Sequence, residues 1–171
     1  MSGKDKYYNR AKQEGYRARS AYKLKQLDET TGILGEGRTV VDLGAAPGGW
    51  LQVAAERVGE DGTVIGVDRQ RIQELEDPEA TVAFVRGDIT EESTKDDIRE
   101  TVAETTGQSI EERPVNAVIS DMAPNMSGDY DLDHARSVHL ARQAFEVALD
   151  VLDTGGDLAV KVFDGRDLTD L

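Results

Sequence analysis

Lys161 sits inside Leu158-Ala159-Val160-Lys161-Val162-Phe163, a run that otherwise reads as a buried strand. An ammonium group in such a run is costly unless it is paired. Asp121, at the end of the neighbouring strand candidate, is the obvious partner. A partly buried lysine is a better base, and a carboxylate beside it anchors and orients it. The plain alternative is a lysine reaching solvent from an edge strand. The segment Asp121-Met122-Ala123-Pro124-Asn125 blocks helix continuation at Pro124 and builds a rigid polar lip opposite the lysine.

A second constellation lies near the start of the chain. Val40-Val41-Asp42-Leu43-Gly44-Ala45-Ala46-Pro47-Gly48-Gly49-Trp50 is a β-branched strand that runs through an acid into a glycine-rich turn, followed by a helix pattern. Such a turn lets a ligand approach the backbone closely and meet the unpaired N–H groups of a helix N-terminus. It is not the dinucleotide fingerprint G-x-G-x-x-G. After Gly44 that pattern needs glycine at 46, which is Ala, and Asp42 and Pro47 are foreign to it. A dehydrogenase is therefore the weakest enzyme reading.

Two further acids follow strand candidates. Asp68 lies 24 residues beyond Gly44, close to the offset of about 20 at which an acid binds a ribose hydroxyl in nucleotide folds. It also reads as a turn Asp before Arg69. Asp88 could accept from an adenine amino group, or cap the helix that begins near Glu91. Lys23, in Arg19-Ser20-Ala21-Tyr22-Lys23-Leu24, reads alone as part of a solvated basic face. Trp50 suits either a cofactor wall or the seam between helix and sheet. For His134 and His139 surface or packing roles are expected.

These residues need a frame that brings strand ends together. Strand candidates are Thr39–Leu43, Thr63–Val67, Thr81–Val85, Asn116–Ser120 and Asp157–Phe163. Helix candidates run from Ser20 to about Thr31, over Trp50–Val58, over roughly Glu91–Thr106, and over Leu132–Leu152, the last closed by Gly155-Gly156. Strands rich in Val, Ile and Ala that alternate with helices predict an α/β fold, a doubly wound, mostly parallel sheet covered on both faces. Ligands of such sheets bind beyond the carboxyl ends of the strands. Four of the five strand candidates carry a carboxylate at that edge.

The chain of 171 residues suits one domain. It has no cysteine and two histidines, so disulfides, thiolate chemistry and a His-rich metal site are not expected. No apolar run approaches a membrane span, and the N-terminus lacks a signal-peptide pattern, so a cytoplasmic protein without membrane contact is expected. The net charge is −14, unevenly spread. Residues 1–25 hold eight basic and two acidic side chains, giving +6, and the remainder carries −20. A basic arm over residues 1–15, on an acidic body, suggests a polyanion partner at one end. Abundant Asp and Glu, scarce Lys beyond residue 25 and few large aromatics resemble proteins adapted to molar salt. The Debye length there is about 3 Å, so repulsion between the body and a polyanion is screened.

The order D-x-G-x-x-P-G-G at Asp42–Gly49 resembles the first motif of S-adenosylmethionine-dependent methyltransferases. Together with Ser20–Leu24, DMAPNMSG at Asp121–Gly128 and VKVF at Val160–Phe163, it resembles the FtsJ/RrmJ family of RNA ribose 2′-O-methyltransferases. The resemblance implies a Rossmann-like methyltransferase domain over residues 16–171 and S-adenosyl-L-methionine as cofactor. It implies cofactor contacts at Gly48, Trp50, Asp68, Asp88 and Asp121, and a catalytic set that includes Lys23, Asp121 and Lys161. The family's fourth catalytic residue, a Glu on a final strand, has no counterpart before Leu171, so further C-terminal strands are expected. The branch resembled most methylates a uridine ribose of large-subunit ribosomal RNA, which implies rRNA or a ribosomal particle as partner of a monomer. Transfer RNA as substrate, or a non-catalytic RNA-binding assembly factor, are the alternatives. A base methyltransferase fits less well, because Ala123-Pro124-Asn125 lacks the aromatic platform that such sites place there.

Overall fold

The computed structural model describes residues 14–165 and 168–169. Helix α1 spans Ala21–Thr31 and is followed by β1, Thr39–Leu43. Helix α2 (Gly49–Val58) leads to β2 (Thr63–Asp68) and β3 (Thr81–Arg86). Helix α3 (Glu92–Thr106), a short 3-10 turn at Ile110–Glu112, β4 (Val115–Ser120), α4 (Tyr130–Val151) and β5 (Leu152–Val160) complete the order. All four strand pairings are parallel and the sheet order is β3-β2-β1-β4-β5. The doubly wound sheet expected from the alternation of elements is what forms.

Alternation along the strands builds two cores. Val40, Val64, Ala117 and Ile119 pack with Ala21 and Leu24 of α1 and Leu51, Val53 and Val58 of α2. Val41, Leu43, Ile65, Val67 and Val118 pack on the other face with Ile98 and Val102 of α3 and Ala144, Val147 and Val151 of α4. A fully buried aliphatic side chain of this kind contributes about 1.5–3 kcal/mol. The β1–β2 register pairs Val41 with Ile65, and β1–β4 pairs Val41 with Val118, so the carboxyl ends of the three central strands lie side by side.

The largest departures from the sequence reading lie at the two ends of β5. Helix α4 ends at Val151, one residue before the expected Leu152, and the chain passes straight into β5, which starts at Leu152 instead of Asp157. Leu152 pairs with Val115, Asp157 pairs with Ala117, and a register irregularity between them takes up residues 153–156, with Gly155 at φ +83°. The glycines thus shape a bulge. At the other end β5 stops at Val160, three residues before the expected Phe163. The Lys161 N–H still donates to Ser120 O at 2.9 Å. Beyond it the chain turns onto α4, where the Phe163 N–H donates to Ser137 Oγ at 2.8 Å and Phe163 O meets His134 Nδ1 at 2.9 Å. Ser137 and buried His134 therefore end the strand by offering its backbone another partner. No helix among the described residues is long and apolar enough to cross a membrane.

Candidate active site

The turn between β1 and α2 is held from three sides. The Gly44 and Ala45 N–H groups both donate to Val67 O, at 2.8 and 3.0 Å, which docks the turn on the end of β2. Gly44 has φ +76°, and a Cβ there would lie 2.6 Å from Met122 Cγ and 3.2 Å from Met122 Cα. The loop after β4 thus rests directly on the turn. Gly48, the N-cap of α2, has φ +118°, and a Cβ there would lie 2.8 Å from Arg17 Nη1. The Arg17 guanidinium donates to Pro47 O, Gln73 O and Glu74 O at 3.3, 2.6 and 2.6 Å. It clips the turn to the segment after β2. No side chain caps the first turn of α2, whose residues 48–51 are buried.

The strand ends supply the polar groups. Asp68 Oδ2 accepts from Ala46 N at 3.0 Å and Oδ1 from Gln70 N at 2.8 Å. Each carboxylate oxygen keeps a lone pair for a ligand hydroxyl. Asp88 accepts from the backbone and hydroxyl of Thr90 through Oδ1, and Arg69 Nη1 lies 3.4 Å from Oδ2. The Thr90 hydrogen bonds, with Arg69 behind them, hold the Asp88 carboxyl below its ordinary pKa. The N-cap of α3 is Glu91, so Asp88 is not the helix cap. Asp121 Oδ1 lies 2.7 Å from Lys161 Nζ, which also donates to Asp121 O at 3.1 Å.

Asp68, Asp88 and Asp121 line one cleft of about 600 Å³ at the carboxyl edge of the sheet, together with Gly44, Met122–Asn125, Arg136 and His139. That volume suits a nucleoside-sized ligand. Gly48, Trp50, Lys23 and Lys161 do not line it. Lys161 sits behind Asp121, with 31% of its side chain exposed. The Trp50 indole is in the α1/α2 core and donates to Ser20 O at 2.9 Å, the seam position. Lys23 is exposed on α1, between buried Tyr22 and Leu24.

The lip after β4 is fixed by α4. Asp133, buried in the first turn of α4, accepts from the Ser127 N–H and hydroxyl at 2.9 and 2.7 Å and from Gly128 N at 3.3 Å. Those bonds, the Ser127 backbone bond foremost, keep its carboxyl below the ordinary pKa. Arg17 and Arg136 are site features that the sequence did not single out; Asp42 was counted only as a strand-end acid, and His139, expected in a surface or packing role, lines the cleft. Arg17 reads in sequence as one more cation of the basic arm, and nothing about its spacing marks three carbonyl partners.

A model of the FtsJ-like methyltransferase family matches residues 16–171. The chain belongs to that family. The ribosomal RNA large subunit methyltransferase E of Haloarcula marismortui is 75% identical over 171 residues, covering 100% of this chain and 64% of that protein. The protein of the same description from Haloquadratum walsbyi is 64% identical over 170 residues, covering 99% and 62%. The chain therefore spans a little under two thirds of the length of these relatives. Both come from halophilic archaea, in keeping with the acidic body. A solved chain from Plasmodium falciparum, described as a ribosomal RNA methyltransferase, superposes with a TM-score of 0.77 at 24% identity, covering 91% of this chain and 82% of that one. That likeness concerns the fold.

The residues of this FtsJ-like domain fit a cationic methyl donor that carries a nucleoside. Gly44 and Gly48 leave the turn without side chains, and the cleft holds three carboxylates. Beneath it Asp42 is fully buried, and neither of its carboxyl oxygens has a hydrogen-bond partner among the described residues. An acidic site of this kind favours a ligand that brings positive charge.

Proposed function

We propose that the protein transfers a methyl group from S-adenosyl-L-methionine to a ribose 2′-hydroxyl of RNA, a uridine of large-subunit ribosomal RNA being the substrate. The observation that carries this reading is the Asp121–Lys161 pair, 2.7 Å apart, at the edge of a cleft that also holds Asp68 and Asp88. When bound, the donor's sulfonium supplies the methyl group and a good leaving group. The protein's task is then to bind, orient and handle one proton. Orientation of the two reactants can remove several kcal/mol from such a barrier.

In this reading Asp68 accepts from the ribose hydroxyls of the donor and Asp88 from its adenine amino group, while the turn that contains Gly48 cradles the remainder. Trp50 supports that turn from the core. Lys161 has three N–H donors, of which two are directed at Asp121. The third is directed at the substrate hydroxyl, where the ammonium holds the forming alkoxide; if that proton has first been lost to solvent, the neutral amine instead takes the hydroxyl proton as base. Asp121 orients it, and Lys23 assists from the substrate side. The basic arm contacts RNA phosphates, a salt-sensitive contribution to affinity. Its residues 1–13 lie outside the described residues. A cytoplasmic monomer without membrane contact completes the proposal.

The test is labelled-methyl transfer by the full-length protein to large-subunit rRNA at high salt, paired with 2′-O-methyl mapping in a deletion strain. Loss of one ribose methyl from that rRNA, restored by the wild-type gene, is the expected result. Loss confined to transfer RNA would move the substrate. Donor binding without transfer to any RNA would favour an assembly factor.

A further inference from the structure

Asp42 is the fourth residue of β1, 0% exposed, paired in register with Gly66 of β2 and Ile119 of β4. It shares the α1/α2 face of the sheet with Val40. Its two carboxyl oxygens have no hydrogen-bond partner among the described residues. An isolated buried carboxylate is among the costliest groups a fold can hold. The charged groups around it do not relieve that cost. Asp68 ends β2 and Asp121 follows β4, both acids that act on Asp42. The nearby cation, Lys161, is committed to Asp121. Burial first, then the charges of Asp121 and Asp68, raises the Asp42 pKa well above the ordinary carboxylate range.

The position matters as much as the charge. Asp42 interacts with Asp68 on one side and Asp121 on the other. In the reading above, Asp68 meets the donor's ribose and Asp121 with Lys161 faces the methyl group. The atom that joins ribose to methyl is the sulfur, which then lies above Asp42. We propose that Asp42 is a specificity-determining residue, a buried carboxyl beneath the sulfur that favours the charged sulfonium of the donor over the neutral thioether of the product. The proposal rests on the methyl-donor reading of the cleft.

The protons balance simply. As the donor binds, the Asp42 carboxyl, which is buried and does not itself line the cleft, gives up its proton to solvent and becomes a carboxylate that acts on the sulfonium from below. Once the methyl group has left, the sulfur is neutral and the carboxylate takes one proton back from solvent. Product is then held without a counter-charge and leaves more readily.

Titration calorimetry of the full-length protein tests this, with S-adenosylmethionine and S-adenosylhomocysteine each measured in two buffers of different ionisation enthalpy. Wild type is expected to release a proton with the sulfonium and none with the thioether. In Asp42→Asn neither ligand releases a proton, and the preference for sulfonium over thioether falls about tenfold, the effect of one pKa unit. A residue that merely held the turn would weaken both ligands alike and leave their ratio unchanged. Equal proton release with both ligands, or an unchanged ratio in the variant, overturns the proposal while the methyl-donor reading stands. Failure of either ligand to bind wild type overturns both. The wild-type proton count decides the matter even if the variant does not fold.

Discussion

Lys161 grips Asp121 twice, through the carboxylate at 2.7 Å and through the backbone oxygen at 3.1 Å. The double contact fixes the ammonium relative to the loop that forms the cleft wall. Asp121 lines the cleft and Lys161 does not, so in the proposed function the two side chains separate binding from reaction. Lys161→Ala is therefore expected to lower methyl transfer by about 10²–10⁴-fold with donor affinity nearly unchanged. Single-turnover rates beside calorimetric dissociation constants check this. Retained turnover in the full-length variant would refute the assignment.

Gly44→Ala tests the contact between turn and lip. The new methyl group would meet Met122 Cγ at 2.6 Å in a left-handed backbone position. A loss of about 1–3 kcal/mol in stability is expected. Adding Met122→Ala removes the side-chain clash but leaves Met122 Cα at 3.2 Å. Chemical denaturation of the double variant should recover part of the loss, with the remainder due to backbone.

Arg17 binds three carbonyl groups from two segments, a task for a forked guanidinium that a point charge performs poorly. Arg17→Lys should therefore resemble Arg17→Ala, each weakening donor binding by about 1–3 kcal/mol. Full rescue by lysine in a binding titration would show that charge alone suffices there.

Asp42 also shapes stability. Its folded pKa is raised, so between the ordinary carboxylate range and that raised value the folded chain keeps a proton that the unfolded chain has lost. Stability contributed by this group falls as pH rises through that window. Asp42→Asn removes the proton-linked loss and is expected to raise the melting temperature at neutral pH more than at pH 4. Scanning calorimetry of the ligand-free protein at both values measures the difference.

Asp88 has the opposite sign. Its folded pKa is depressed by Thr90 and Arg69, so its stabilising contribution is present above the ordinary carboxylate range and fades as pH falls through the folded pKa. Thr90→Val, which removes one of the bonds, should raise the Asp88 pKa in a carboxyl-resolved NMR titration.

The parallel sheet was legible because buried strands such as Val64-Ile65 and Val118-Ile119 carry apolar residues on both faces, and the acids that interrupt the pattern fall at strand ends. Asp68, Asp88 and Asp121 could be collected into one site for that reason. The end of β5 was not legible, since Val162 and Phe163 continue the apolar pattern while Ser137 and His134 divert their backbone. The start of β5 at Leu152 was hidden because Gly155 and Gly156 serve equally as a helix stop and as a bulge. Arg17 escaped because it is defined by three carbonyl groups, which local spacing does not record. Asp42 was legible as a strand-end acid, but its lack of a hydrogen-bond partner among the described residues was not.

The opening turns of α4 tether the segments on both sides of the Asp121–Lys161 pair. Asp133 ties down Ser127 and Gly128, on the loop that begins at Asp121, while His134 and Ser137 hold Phe163, two residues past Lys161. One rigid rod thus serves as a common yoke. Tilting it carries acid and lysine together and preserves their spacing, whereas releasing one tether would let them drift apart.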